Sequence, residues 1–240
     1  MIDLHHHLLP GIDDGAPDLD TALAMARIAV SDGIHTVACT PHIYPGLYEN
    51  HGAGIRAATA ALAARLREAD IPLTLTCGAD AHLVPDMLPR LRAGLIPTIA
   101  GSRYLLLEPP HHVAPPRFED AVFQLMAGGY VPIITHPERL SWIETHHAVF
   151  GRLVHAGAWM QVTAGSLTGR FGRRAQYWAE RMLDDRQVHL LATDAHDERH
   201  RAPRLAEGRD AAAARLGDAA AIDMVLTRPR GILEDVEVDR

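Results

Sequence analysis

The sequence contains no lysine, so all 23 of its basic residues are arginine. That absence removes Schiff-base chemistry, pyridoxal phosphate attachment, a carbamylated-lysine metal bridge and the phosphate-binding lysine of a P-loop. Cysteine is nearly absent too. Cys39 and Cys77 both lie in apolar runs, HTVACTP and LTLTCGA, and read as buried free thiols of a reducing compartment rather than a disulfide framework. A cysteine-dependent phosphatase needs an arginine six positions after its nucleophile; here those positions hold Pro45 and Leu83, so neither thiol can serve. Positive charge is in deficit, 23 − 30 = −7, which argues against a nucleic-acid or membrane-surface partner. No apolar run approaches the ~18 residues that span a bilayer. The start MIDLHHHLLPGIDDGA lacks the charged-then-apolar order of a signal peptide, and a cytoplasmic location is expected.

What is present is ordinary globular material, 240 residues with 48% apolar and 22% charged, which reads as a single domain over residues 1–240. Short β-branched or apolar runs alternate with helix-like stretches. The spacing predicts strands at Ile2–His7, Thr36–Thr40, Leu73–Ala79, Arg103–Glu108, Val131–Thr135, Trp159–Thr163 and Val188–Thr193. Helices are predicted at Asp20–Ser31, Ile55–Ala69, Phe118–Ala127, Ala148–Ala156 and Arg173–Asp184, several of them stopped by glycine. Such alternation implies an α/β chain with parallel strands, either a barrel or an open doubly wound sheet.

The polar residues choose between the two. His5 and His7 lie at the end of the first strand, His42 past the second, Asp80 past the third, Glu108 at the end of the fourth, His136 past the fifth, and Asp194 and His196 past the seventh. In a closed α/β barrel those ends converge on one face, whereas in an open sheet they spread along a line. Convergence favours a closed, TIM-like (βα)7 barrel. His5-x-His7 on a strand can direct both imidazoles to one metal ion. Without a metal, eight ionisable residues would be collected on one face with no charge partner, at several kcal/mol of desolvation each. Asp13-Asp14 reads as a turn pair that becomes a ligand candidate because its loop leaves the first strand on that face. His111-His112 and His146-His147 read as exposed loop residues, and the proline-rich stretch 108–116 as a stiff flap beside the site or as plain loop.

The strings IDLHHHLLPGIDDGA, TPHIYPG, YLLLEPP, ITHPERL and ATDAH together resemble the PHP (polymerase and histidinol phosphatase) superfamily. More narrowly, they are similar to the metal-dependent bacterial protein tyrosine phosphatases of capsular and exopolysaccharide synthesis. The resemblance runs from Met1 to about Gly231 and implies a distorted seven-stranded barrel (the PHP fold) with three divalent metal ions. It groups His5, His7, Asp80 and Asp194 around one ion, Asp80, Glu108 and His136 around a second, and Asp14, His42 and His196 around a third. The family usually has glutamate where this chain has Asp80, and the superfamily often has asparagine where it has Thr163. Imidazole and carboxylate together suit manganese first, with iron, zinc or cobalt as alternatives. Six positive charges against four carboxylates would leave a pocket of about +2 that wants an anion. Arg139 and Arg201 follow ligand positions, their guanidinium forks match phosphate oxygens, and the resemblance assigns both to phosphate binding.

The implied activity is metal-assisted hydrolysis of a phosphomonoester, as a protein tyrosine phosphatase. The implied partner is the phosphotyrosine tail of a membrane-bound bacterial tyrosine kinase that governs capsule or exopolysaccharide export. Within the superfamily, a phosphatase or phosphodiesterase for histidinol phosphate or a nucleotide is the alternative. Outside it stand an amidohydrolase-type barrel without the modified lysine and a non-catalytic phosphopeptide adaptor held by metal.

Overall fold

The computed structural model describes residues 1–236. Its strands are β1 Ile2–His6, β2 Thr36–Cys39, β3 His42–Ile43, β4 Thr74–Cys77, β5 Asp80–His82, β6 Tyr104–Glu108, β7 Val131–Thr135, β8 Trp159–Thr163 and β9 Leu190–Ala192. Every ladder pairing is parallel, and the strands form two sheets, β1-β2-β4 and β3-β5-β6-β7-β8-β9. The seven expected runs are present, and two of them are each followed, beyond the expected bounds, by a further short strand in the other sheet: β3 after β2 and β5 after β4. Pro41 lacks an N–H for the ladder and separates β2 from β3, while Gly78 and Ala79 separate β4 from β5. The ladders therefore do not make the single closed ring of seven strands that the sequence suggested. On its far side β1 meets the segment after β9 through a His6–Ala195 bridge, with Asp194 N–H donating to the His5 carbonyl (2.9 Å) and His7 N–H to the Ala195 carbonyl (3.0 Å).

Ten α-helices are described: α1 Leu19–Ser31, α2 Gly52–Glu68, α3 Met87–Arg92, α4 Phe118–Ala127, α5 Ile143–Ala156, α6 Ala164–Leu167, α7 Gly172–Asp184, α8 Ala206–Leu216, α9 Asp218–Ile222 and α10 Arg228–Leu233. Asp18 caps α1 by accepting from Thr21 N–H (2.8 Å), and the buried stripe Ala22, Met25, Ala26, Ala29 has helical spacing. α5 begins five residues before the predicted Ala148, so His146 and His147 lie on a helix, not in a loop; it stops where expected, at a left-handed Gly157.

Apolar residues fill two cores. The larger packs helices against strands through residues such as Met25, Leu62, Leu107 and Phe150. The smaller gathers Ile2, Leu4, Tyr104, Leu106, Ile133, Trp159 and Leu190 from the strands, with Ile232 of α10. Side chains alternate along a strand, so the face that begins as Tyr104-Leu106 ends in Glu108, and the face that begins in Trp159 continues to Gln161 and Thr163. The smaller core is the floor, and the polar ends of the same strands stand above it.

Candidate metal centre

His5 and His7 reach that polar layer through an irregularity in β1. Asp3 pairs with Val37 and His6 with Cys39, so three steps of β1 match two of β2. The extra residue is a bulge, and it shifts the alternation so that Leu4 faces the floor while His5 and His7 face the layer above. Asp80 and His42 open β5 and β3, Glu108 ends β6, and Asp14 lies in the loop after β1. His136 and Asp194 follow β7 and β9 with left-handed backbones, φ 35° and 51°. Such conformations are uncommon outside glycine and cluster where function requires them.

The structure brings all nine expected ligand residues together. The Nε2 atoms of His5 and His7 are 3.2 Å apart, and Asp194 Oδ1 lies 3.3 and 3.4 Å from them. Asp80 Oδ2 sits 3.4 Å from His5 Nε2, 3.5 Å from His42 Nδ1 and 3.9 Å from His136 Nε2. Glu108 reaches His42 Nδ1 at 3.4 Å and His136 Nε2 at 3.9 Å. Asp14 Oδ1 lies 3.5 and 3.6 Å from the Nε2 atoms of His42 and His196. Donor atoms fall into overlapping sets, each within 4.8 Å: His7-Asp14-His42-His196, His5-His7-Asp80, His5-His136-Asp194, His42-Asp80-Glu108 and Glu108-His111-His136. Among the described residues, His42 Nδ1, Asp80 Oδ2 and His196 Nε2 are buried without a well-formed hydrogen bond. Buried polar atoms are otherwise satisfied in folded proteins, and orphaned imidazole and carboxylate atoms that converge in space are the donor set of divalent cations. The residues fit such ions.

Neighbours fix which imidazole nitrogen faces the centre. His5 Nδ1–H donates to Gln161 Oε1 (2.8 Å), His7 Nδ1–H to Asp13 Oδ2 (2.7 Å) and His196 Nδ1–H to the Asp194 carbonyl (2.9 Å). Each bond leaves Nε2 for the interior. Asp13 also accepts from the His42 N–H (3.0 Å), tying the loop to β3. A Cβ at Gly15 would lie 2.2 Å from the His7 carbonyl oxygen, so this loop needs glycine there. Thr135 donates its hydroxyl to Asp80 Oδ1 (3.3 Å).

The carboxylates of the centre are kept ionised by the imidazoles and guanidinium groups around them. Burial opposes ionisation of Asp194, yet Arg201, His5 and Arg139 hold its carboxyl well below the usual range. Burial is likewise outweighed at Glu108 by His111, His42 and His82, and at Asp14, held at about 2, by His196. These carboxylates act back on the imidazoles. Burial disfavours charge on His5 and His42, but Asp80 and Asp194 raise the first to about 9, and Glu108 and Asp80 raise the second to about 10. His6 has no part in this: burial and then His7 push it down to about 3.

Arg139 and Arg201 converge on the other oxygen of Asp194, Oδ2, Arg201 Nη2 at 2.5 Å and Arg139 in a short bond. Both guanidinium groups lie over the Phe171 ring, at 4.4 and 5.8 Å from its centroid, and both side chains stay partly open to solvent. Sequence reasoning missed Gln161, Phe171 and the orienting role of Asp13. It also misread His111. This residue is no plain loop histidine, because its Nε2 is 3.6 Å from Glu108 Oε1 and its ring 4.8 Å from that of His136. The segment carrying it is pinned by Trp142 Nε1–H to the Pro110 carbonyl (2.8 Å) and Ser141 N–H to the His111 carbonyl (2.9 Å). Cys39 and Cys77 are free thiols whose acidity burial reduces, in keeping with their exclusion as nucleophiles.

Comparison with known proteins places this geometry. The sequence pattern described as capsular polysaccharide synthesis, CpsB/CapC, matches residues 1–234. The tyrosine-protein phosphatase YwqE of Bacillus subtilis (strain 168) is 36% identical over 197 residues, 82% of this chain and 78% of that protein. The tyrosine-protein phosphatase CpsB of Streptococcus pneumoniae is 27% identical over 98% of this chain and 99% of that one. A solved structure from the work on YwqE and this CpsB, reported as unique metal-dependent tyrosine phosphatases, superposes with a TM-score of 0.96 at 32% identity, covering 100% of this chain and 97% of that chain. Dihydropyrimidinase from Brevibacillus agri NCHU1002 shares the fold alone, with a TM-score of 0.59 at 11% identity over 98% of this chain and 70% of that one.

Proposed function

The chain belongs to the CpsB/CapC family of capsular polysaccharide synthesis, and on that premise we propose that it is a metal-dependent phosphatase of protein phosphotyrosine. The observation that carries the reading is the overlap of the donor sets: Asp80 stands among three imidazoles, and its neighbours each belong to more than one set. That overlap suits adjacent cations rather than one. Three divalent ions, manganese first, would be held by His5, His7, Asp80 and Asp194, by Asp80, Glu108 and His136, and by Asp14, His42 and His196. Ions held there would act as Lewis acids and activate water near neutral pH, so hydrolysis would need no phosphoenzyme.

The protein's own groups do the rest. Gln161 and Asp13 keep the His5 and His7 rings in register with the centre. Arg139 and Arg201 exchange Asp194 Oδ2 for the phosphate oxygens and neutralise the charge that builds there, while Phe171 supports both planar groups in either position. A tyrosine phenolate, with a conjugate-acid pKa of ~10, leaves without strong protonation. The substrate we assign is the phosphotyrosine tail of a bacterial tyrosine kinase, met in the cytoplasm; no helix among the described residues is long and apolar enough to cross a membrane. In this reading the seven strand runs form a distorted barrel with the His6–Ala195 contact as its seam, in one domain over residues 1–240, the last four of which lie outside the described residues.

Protein prepared with a chelator should lose hydrolysis of a phosphotyrosine peptide and regain it with Mn²⁺. Histidinol phosphate and a nucleotide diester, assayed in parallel, should be turned over far more slowly. Activity indifferent to ion removal would reject the mechanism.

A further inference from the structure

A cavity of about 410 Å³ opens directly beside Glu108, between the Tyr44 loop and the segment 110–113. This volume lies within the range of small-molecule pockets. Glu108 lines it together with Tyr44 and His82 on one side and Pro110, His111, His112 and Val113 on the other. Tyr44 lies flat on His82, ring centroids 3.9 Å apart and planes 6° from parallel. Tyr44 as a residue remains 38% exposed, and Val113 is 68% exposed across the gap. Large apolar side chains so open to water are informative when they rim a polar site.

Neither wall needs a ligand to take shape. The flap is held by the Trp142 and Ser141 hydrogen bonds to its carbonyls. Opposite, Tyr44 and Tyr48 exchange backbone hydrogen bonds (3.0 and 2.8 Å), and Asn50 Nδ2 holds the His42 carbonyl (2.9 Å). Besides Glu108 its polar lining is the imidazoles of His82, His111 and His112, and among the described residues no second carboxylate and no guanidinium lines it. Its chemistry is that of a slot for a flat, uncharged ring attached to a group that binds at the centre.

We propose that the slot between Tyr44 on His82 and Val113 with Pro110 seats the aromatic ring of the substrate, with Tyr44 and Val113 as the residues that hold it. The proposal rests on the phosphatase reading above. A ring seated there packs against Tyr44 on one side and the proline and valine on the other, while its phosphate reaches past Glu108 into the centre toward Arg139 and Arg201. Such ring packing is worth roughly a three- to tenfold change in binding.

The test uses the Mn²⁺-loaded protein and three probes: p-nitrophenyl phosphate as substrate, with phenylphosphonate and inorganic phosphate as competitive inhibitors. Phosphate binds the centre without a ring and serves as the internal reference. Tyr44→Ala and Val113→Ser should each raise KM for the substrate and Ki for phenylphosphonate roughly three- to tenfold, with a smaller change in kcat and in the Ki of phosphate. Tyr44→Phe, which keeps the ring, should restore the wild-type KM. A phenylphosphonate Ki unmoved by Tyr44→Ala, or one that rises in step with that of phosphate, would overturn the subsite and leave the phosphatase reading standing. Absence of any hydrolysis by the loaded wild type would overturn both.

Discussion

Asp194 divides its two oxygens between two tasks: Oδ1 faces the imidazoles of His5 and His7, and Oδ2 faces Arg139 and Arg201. The arginines therefore stand beside the centre already desolvated in part and already stacked on Phe171. Arg139→Ala and Arg201→Ala should each lower kcat/KM about 10- to 100-fold, the loss of one charge-assisted contact to phosphate. Steady-state kinetics with phosphotyrosine peptide checks this, and a loss below twofold for either would exclude it from phosphate binding. At this scale the ligand candidates were legible because strand ends are legible: a histidine or carboxylate after a β-branched run has few other uses. His111 was not legible, because its place depends on Trp142 and Ser141 folding the flap back onto Glu108. Gln161 was hidden for a different reason. It lies mid-strand, and only the parallel register of β8 beside β7 and β9 carries it above the floor toward His5.

The turn that delivers Arg139 illustrates what local elements contribute. Pro137–Arg139 forms one 3₁₀ turn after the left-handed His136, and inside it Glu138 is fully buried. Its Oε1 accepts from the Ser166 hydroxyl (2.7 Å) and the Thr163 N–H (3.1 Å), clamping the turn to β8 and α6. Glu138→Ala leaves two buried donors without a partner and should cost about 2–4 kcal/mol. For a chain of this size that is a fall in Tm of roughly 5–12 °C. Glu138→Gln keeps an acceptor oxygen and should cost less. Burial raises the Glu138 carboxyl above its ordinary value, so its stabilising effect is complete below the usual carboxylate range and fades as pH rises. The Tm gap between wild type and Glu138→Gln should accordingly shrink from pH 5 to pH 8 in thermal melts, and a gap that widens would contradict that sign. The strand runs and the Gly157 stop could be read from periodicity. The Pro41 and Gly78 interruptions could not, since periodicity locates a run but not which neighbour the short strand past it will pair with.

Across the whole molecule, carboxylates and imidazoles on or just past six strands, β1, β3, β5, β6, β7 and β9, and on the loop after β1 are packed over a small apolar floor. Removing the ions should expose that like-charge crowding. For each site filled at an ion concentration about 100-fold above its Kd, Mn²⁺ should stabilise the ion-free protein by about 2.7 kcal/mol, or roughly 5–11 °C in Tm per ion. Scanning calorimetry with and without EDTA measures it, and an unchanged Tm would mean that the centre takes up no ion. The parallel α/β architecture was evident from the alternation of runs, whereas the absence of one continuous ring was not. A barrel and a pair of abutting sheets bury the same residues and differ only in a few backbone hydrogen bonds.

One such contact has a temporal side. Asp3, on the first strand, accepts both the N–H and the hydroxyl of Thr193, a partner 190 positions away. During translation the opening histidines leave the ribosome long before the residues that complete their surroundings exist, and contacts of such long range form late. A nascent copy that stops short of residue 194 therefore carries seven of the nine ligand candidates but lacks Asp194 and His196, and the centre closes only once those two have been made.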